Sequence, residues 1–372
     1  MKFTINKYDI LDALSKIQGL TGRKSNLAIT ENVLIKTADN CITLIATDLE
    51  TGFEGFYPSA VESDGLIAIN SRKFYEIVRE FPNNEIVISE VENRWIEIGD
   101  ENVLYHIVGM NPDDFPDNPQ IEGIVFFEID SLEFKKMIDK TVIITGPGDD
   151  KRAHITGIYF EIKKENDEKI IRIISTDGSR LSKVDYKYKK DFKMPSEAVI
   201  IIPKKGLAEV SKFLDTEGTA QIGFKSNHLI IKKDKETMII RLLEGDFPEY
   251  KDIIAKEDAY EIKMEREPFL MMLKRMSILC SDDYRGVIFK FEDDKLLINV
   301  TNPNIGQSKE EISINFQREA IEVAFNPKFF IEALNVIDED KVIINIVNEA
   351  RPCIIEAEKD KSYLSVIMPM RI

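Results

Sequence analysis

Three adjacent carboxylate pairs, Asp113-Asp114, Asp149-Asp150 and Asp282-Asp283, are the residues of this 372-residue chain whose type and spacing first suggest chemistry. Such pairs offer hard oxygen ligands to a divalent cation, and three of them converging on one point would suit a metal-dependent nuclease. The repeated sequence around them gives no sign of convergence, and isolated pairs usually sit in solvated loops. His106, His154 and His228 lack metal-ligand spacing and read as structural. Gly146-Pro147-Gly148 lacks the Lys-Ser/Thr of a phosphate loop, and no nucleophile elbow is present. Cys41, Cys280 and Cys353 are odd in number, far apart and set in apolar segments, as packing residues of a reducing compartment would be. The expectation is a non-enzyme with no cofactor and no metal.

A different chemistry is suggested by Ile174-Ser175-Thr176-Asp177-Gly178-Ser179-Arg180-Leu181. Asp-Gly marks a tight turn: Asp accepts from its own backbone and Gly tolerates φ > 0. The element recurs in degraded form as Ile45-Ala46-Thr47-Asp48-Leu49-Glu50 and as Asn299-Val300-Thr301-Asn302-Pro303-Asn304. Thr47, Thr176 and Thr301 stand 129 and 125 residues apart. An interval that regular points to an internal repeat. The repeats also end alike, at Asp114-Phe115-Pro116, Asp246-Phe247-Pro248 and Met368-Pro369-Met370.

The elements that must position these turns follow the same period. A segment of helical periodicity precedes each turn, carrying Ile10, Leu14 and Ile17, then Phe134, Met137 and Ile138, then Phe269, Met272, Leu273 and Met276. A second follows each turn, with Phe74, Ile77, Val78 and Phe81, then Leu207, Val210 and Leu214, then Phe330, Ala333, Leu334 and Ile337. Each second segment opens on basic residues: Arg72-Lys73, Lys204-Lys205 and Lys328. Between the helices lie β-type runs, such as Asn32–Thr37 and Cys41–Thr47 around Ala38-Asp39-Asn40, roughly five or six per repeat. The expected fold class is α+β: three repeated domains, each with two helices packed on antiparallel sheet. The expected boundaries are 1–122, 123–255 and 256–372, with the Pro- and Asp-rich stretch 111–123 as the first linker.

Net charge is −16, which taken whole argues against nucleic acid. Its distribution argues otherwise. The helical segments 6–18, 71–80, 130–140, 203–214, 265–276 and 327–335 hold 15 Lys or Arg against 11 Asp or Glu. The helices are therefore net basic on an acidic body, and screening over about 8 Å lets a polyanion feel the nearer surface. No apolar run reaches the roughly 18 residues of a membrane span, and Met1-Lys2-Phe3-Thr4 lacks the apolar core of a signal peptide. A cytoplasmic protein without membrane contact is expected. A repeat scaffold that never meets DNA is a rival, but its helices should be no more basic than its sheets.

The three-fold repeat, the Thr-Asp-Gly-Ser-Arg-Leu turn, the opening Met1-Lys2-Phe3-Thr4, the element Asp246-Phe247-Pro248-Glu249-Tyr250 and the terminal Val366-Ile367-Met368-Pro369-Met370-Arg371-Ile372 together resemble the bacterial DNA polymerase III β subunits, the sliding clamps. The resemblance spans the whole chain. It departs from the family's Leu-Pro-Ile at Leu27-Ala28-Ile29, and from aromatic residues beside the DNA path at Ala153-His154. It implies a processivity factor: three clamp domains per chain, and a head-to-tail homodimer assembled as a ring with helices lining the hole. It also implies duplex DNA held without base readout, and partners comprising the polymerase III α subunit, other polymerases, the clamp loader and repair proteins, which dock short peptides in a groove between the second and third domains. Carried over by position, the resemblance builds one groove wall from Ile155, Thr176, Gly178, Leu181, Pro248 and Ile253. The other comes from Asn326, Phe329, Pro352, Val366, Met368, Pro369, Met370 and Arg371. Arg180 and Arg371 suit a carbonyl or carboxylate of the incoming peptide. DNA contacts are expected from Arg23, Lys24, Lys73, Lys136, Arg152, Lys204 and Lys205. The dimer contact is expected from Tyr105 on one side and Ile278 with Leu279 on the other.

Overall fold

All six apolar stripes become helices whose stripe is buried. The structure, a computed structural model, describes residues 1–21, 27–116, 119, 123–144, 146, 152–188, 197–281 and 283–371. Within them the helices are α1 (Lys7–Thr21), α2 (Ser71–Glu80), α3 (Ser131–Val142), the four-residue α4 (Ala153–Thr156), α5 (Lys204–Phe213), α6 (Arg266–Ser277) and α7 (Pro327–Asn335). Ile10, Leu14 and Ile17 of α1 are fully buried, as are Phe74 and Val78 of α2, Phe134 and Ile138 of α3, and Phe269 and Leu273 of α6. Local chemistry sets the starts. Asn70 caps α2 by accepting from the Lys73 amide at 3.0 Å, and Asn326 caps α7 by accepting from the Lys328 amide at 3.0 Å, with Pro327 next in line.

The sheets are antiparallel throughout and richer than the alternation of the sequence suggests. Among the described residues there are 25 strands, eight or nine per repeat rather than five or six. Those that sequence reasoning missed include the strands leading straight into helices, such as Lys2–Asn6, Leu66–Asn70 and Ala198–Pro203, and the strands that follow the first two Thr-Asp turns, Thr51–Pro58 and Arg180–Tyr188. A strand that runs into a helix without a loop leaves no punctuation to read.

Tertiary contacts gather the described chain into two compact units that cut across the three repeats. One holds 1–135 with 205–242, the other 136–188, 197–204 and 243–371. The cause is strand pairing across repeat boundaries. In the first unit Thr51–Pro58 of the first repeat pairs antiparallel with Glu236–Arg241 of the second, Met238 opposite Phe53, to make an eight-stranded sheet. In the second unit Arg180–Tyr188 of the second repeat pairs with Tyr363–Ile367 of the third, Leu181 opposite Val366, to make another. The helix α3 is tied to that sheet by the Ser175 and Ser182 hydroxyls, which donate to the Thr141 and Lys140 carbonyls at 2.6 and 2.7 Å.

The other two sheets end openly: the five-stranded sheet of the first repeat at Leu104–Val108, and the four-stranded sheet of the third repeat at Gly306–Ser313. No helix of the described chain is long and apolar enough to cross a membrane.

Candidate docking groove

The Thr-Asp turns are one device built twice. In the second repeat Thr176 Oγ1 donates to the Arg180 carbonyl at 2.7 Å and accepts from the Gly178 amide at 3.1 Å. Asp177 Oδ1 accepts from the Ser179 and Arg180 amides at 3.0 and 3.1 Å, and Gly178 has φ +88°. In the first repeat Thr47 bonds Thr51 and Leu49 in the same way, and Asp48 accepts from Glu50 and Thr51. There Leu49 takes the positive φ, at +77°. A Cβ added at Gly178 would meet only Ile155 Cδ1, at 4.0 Å, an ordinary contact, so the position asks for glycine through its φ rather than through lack of space.

The Thr176–Leu181 turn leads into a sheet seam. Leu181 and Val366 are cross-strand partners and pack with Ile174, Tyr250, Ile354 and Leu364 into one buried cluster, against which Tyr159, Phe247 and Ile254 lie. Beside the seam lies a cleft of about 470 Å³ lined by Ile253, Pro352, Ile354, Met368, Asn345 and Arg351, among others. A second cleft, of about 660 Å³, is lined by Asp177, Arg180, Asn326, Phe329 and Glu332 with Cys280. A third, of about 280 Å³, takes in Tyr284, Gly286, Met370 and Arg371. The terminal segment is held as an edge: the Met368 amide donates to the Ser179 carbonyl at 2.9 Å, and the Met370 amide to the Ala324 carbonyl at 2.8 Å.

The fifteen expected groove residues thus divide by depth. Ile155, Thr176, Leu181 and Val366 are buried and form the floor, while Gly178, Pro248, Ile253, Met368, Met370 and Arg371 are exposed at the rim. Asn326, Phe329, Pro352 and Pro369 are half-buried. Arg180 is held by partners within the wall. It is 6% exposed, its Nε donates to Asp177 Oδ2 at 2.9 Å, another N–H donates to Glu332 of α7, and its guanidinium lies 4.3 Å from the Phe329 ring centroid. Two of its N–H groups are thus engaged inside the wall, while it also lines the second cleft.

The expected phosphate contacts divide as well. Arg23 and Lys24 lie outside the described residues. Lys73, Lys136 and Arg152 are exposed; Lys73 also pairs with Glu76 one turn along α2 at 2.8 Å. Lys205 forms an ion pair with Asp48 of the first Thr-Asp turn. Lys204 is not offered to a phosphate: its Nζ donates to the Ile155 carbonyl at 2.6 Å and the Thr176 carbonyl at 3.2 Å. Burial, with Arg180 nearby, lowers its pKa to about 8 against the pull of Asp177.

At the open edges, Tyr105 lies on Leu104–Val108, where Leu104 and Val108 are also exposed. Ile278, at the end of α6, is 74% exposed, and Leu279 beside it is half-buried.

Sequence reasoning missed Tyr250, Tyr159 and Ile354 in the floor and Asp177 and Glu332 in the wall. Tyr250 had a signal, since it closes the repeat-ending Asp246–Tyr250 element; Glu332 had none beyond its place one turn into α7. Among the described residues no three His, Cys, Asp or Glu gather closely enough to hold a metal ion.

Known proteins resemble this chain along its full length. Residues 1–119, 128–249 and 251–371 match, in order, the N-terminal, central and C-terminal domain families of the DNA polymerase III beta subunit. The beta sliding clamp of Chlamydia pneumoniae is 27% identical over the whole chain and 99% of its own length, and that of Vibrio cholerae is 26% identical with both chains fully covered. A solved structure of a DNA polymerase III beta subunit from Eubacterium rectale superposes with a TM-score of 0.91 at 27% identity, covering both chains completely.

Proposed function

Since the chain belongs to the DNA polymerase III beta subunit family, we propose that it works as a sliding clamp: two copies close a ring around duplex DNA and tether a polymerase to it. It makes and breaks no bond. The observation that carries the ring is the pair of open sheet edges. The strand after the Thr-Asp turn pairs with the last strand of the next repeat twice, Thr51–Pro58 with Glu236–Arg241 and Arg180–Tyr188 with Tyr363–Ile367. In the third repeat the strand in that position is Gly306–Ser313, and in the first repeat the last strand is Leu104–Val108. Both end their sheets unpaired. A third pairing of the same kind therefore requires a second copy, and repeated head-to-tail pairing closes when the rotation permits. Exposed Leu104, Tyr105 and Val108 on one edge and Ile278 near the other supply its apolar anchors.

Retention on DNA then comes from topology. The net-basic helices supply diffuse, sequence-independent phosphate attraction that permits sliding, with Lys73, Lys136 and Arg152 as contacts. The groove supplies the tether. Flexible Met368 and Met370 at its rim suit several partners: the polymerase α subunit, other polymerases, the clamp loader and repair proteins, each bringing a short apolar peptide.

The assembly is tested by replacing both Ile278 and Leu279 with Glu. Sedimentation of the wild-type protein at micromolar concentration should give the mass of a dimer, and the double variant that of a folded monomer. A double variant that still sediments as a dimer refutes this interface.

A further inference from the structure

Lys204 occupies a place that the sliding-clamp reading does not explain. It opens α5 on a basic pair that reads as a phosphate contact, yet its Nζ points between two backbone carbonyls, of Ile155 and Thr176. Both are floor residues of the groove. We propose that Lys204 is a positioning residue of the docking groove: by bridging the Ile155 and Thr176 carbonyls it holds the short helix α4 against the Thr-Asp-Gly turn and so fixes the part of the groove floor that these two residues form. The proposal rests on the groove reading above.

The local structure needs such a bridge. Helix α4 has only four residues. The chain turns straight from Thr156 into the strand Gly157–Glu165, so the helix does not continue to supply an amide to the Ile155 carbonyl. A buried carbonyl without a donor is costly, and a lysine ammonium is a charge-assisted donor with capacity for both. Ile155 itself is 1% exposed and closely packed: a Cβ at Gly146 would press on its Cγ2 at 2.3 Å, and one at Gly178 would touch its Cδ1 at 4.0 Å. A small rotation of α4 would therefore shift a tightly held floor residue against the Thr-Asp-Gly turn.

The charge on Lys204 is poised. Asp177 in the turn favours the ammonium, while burial and Arg180 on the neighbouring strand oppose it. The other elements packed around it bring Arg152 and His154 on α4, Lys205 on α5, and Glu244 and Asp246 on the segment that passes Ala153 at Gly245. With a pKa lowered to about 8, the bridge changes from charge-assisted to neutral as pH rises through that value. A neutral amine still donates, but more weakly, so the groove loosens in alkali rather than collapsing.

The test uses the full-length protein and a fluorescein-labelled clamp-binding peptide from a polymerase subunit, at fixed salt. Wild type should bind, and removal of 368–372 should abolish binding; a peptide that ignores the truncation overturns the groove reading and this inference with it. Given the groove, Lys204→Met should bind about tenfold more weakly at pH 7, and Lys204→Arg, which keeps the charge and donors, should stay within about twofold of wild type. Wild-type affinity should fall between about pH 7.5 and 9.5 and that of Lys204→Arg should not. Lys204→Met should leave the salt dependence of DNA binding unchanged, whereas loss of a phosphate contact would lower its slope by about 1. The inference is overturned, with the groove intact, if folded Lys204→Met binds peptide like wild type, or if wild type and Lys204→Arg follow the same pH profile.

Discussion

Arg180 links two elements of the cleft wall. Its guanidinium joins the turn, through Asp177, to α7, through Glu332, and covers the face of Phe329. Replacing it with Met takes the main cation from Asp177 and leaves Glu332 only the longer pair with Lys328 at 3.9 Å. The expected cost is about 3 kcal/mol, seen as a lower urea midpoint with an unchanged slope. Gly178 makes a different demand. At φ +88° any side chain is strained, so Gly178→Ala should cost about 1 kcal/mol without a clash, and Gly178→Val, β-branched at the same φ, should cost more, both read as lower urea midpoints. The turn itself was legible in the sequence because Asp-Gly states its own backbone geometry. The role of Lys204 was not, because its partners are carbonyl oxygens, which every residue has.

Among the elements, two paired strands of the second repeat carry a buried charge cluster. On Glu168–Thr176 and Arg180–Tyr188, Arg172 is buried and its Nε and Nη2 donate to the two Asp185 oxygens at 2.6 and 2.7 Å, while Lys183 adds a third contact at 2.5 Å. Burial raises the Asp185 carboxyl, but Arg172 and Lys183 more than offset it and hold the group below the usual aspartate range. A carboxylate with a depressed folded pKa stabilises at pH above its unfolded value, and that stability is lost as pH falls through the folded one. Asp185→Asn should therefore cost about 3 kcal/mol at pH 7, and the gap to wild type should narrow below about pH 3.5 in urea titrations. The terminal segment is a lighter element. Removing 368–372 should leave circular dichroism and dimer mass unchanged and abolish peptide binding, because it takes away Met368 and Met370 from the rim but no core strand.

The helices and the first hairpin were readable, since 3.6-residue stripes and the Asp39-Asn40 turn, both at positive φ, leave direct traces. The strand Thr51–Pro58 was not. Its Gly52, Gly55 and Pro58 look like a loop, yet a Cβ at Gly55 would come within 2.7 Å of the Tyr57 hydroxyl oxygen: the glycine is there because a neighbouring side chain crosses the backbone. The two-unit division was hidden for a related reason. Periodicity marks where a repeat begins and ends, but which repeat a strand pairs with depends on partners more than a hundred residues away.

At the scale of the whole molecule the account rests on topology. A chain of net charge −16 is a poor DNA ligand by composition, and only enclosure makes weak attraction from its basic helices sufficient. The measurement that tests this most directly is retention on DNA of two shapes. Labelled protein is assembled by its clamp loader on nicked circular duplex, freed from unbound protein, and followed by gel filtration at about 0.5 M NaCl before and after a single restriction cut. The account predicts that the label stays with the circle despite salt that strips electrostatic ligands, and leaves within minutes of linearisation by sliding off the ends. Equal retention on circular and linear DNA, or loss from the intact circle at that salt, would contradict it.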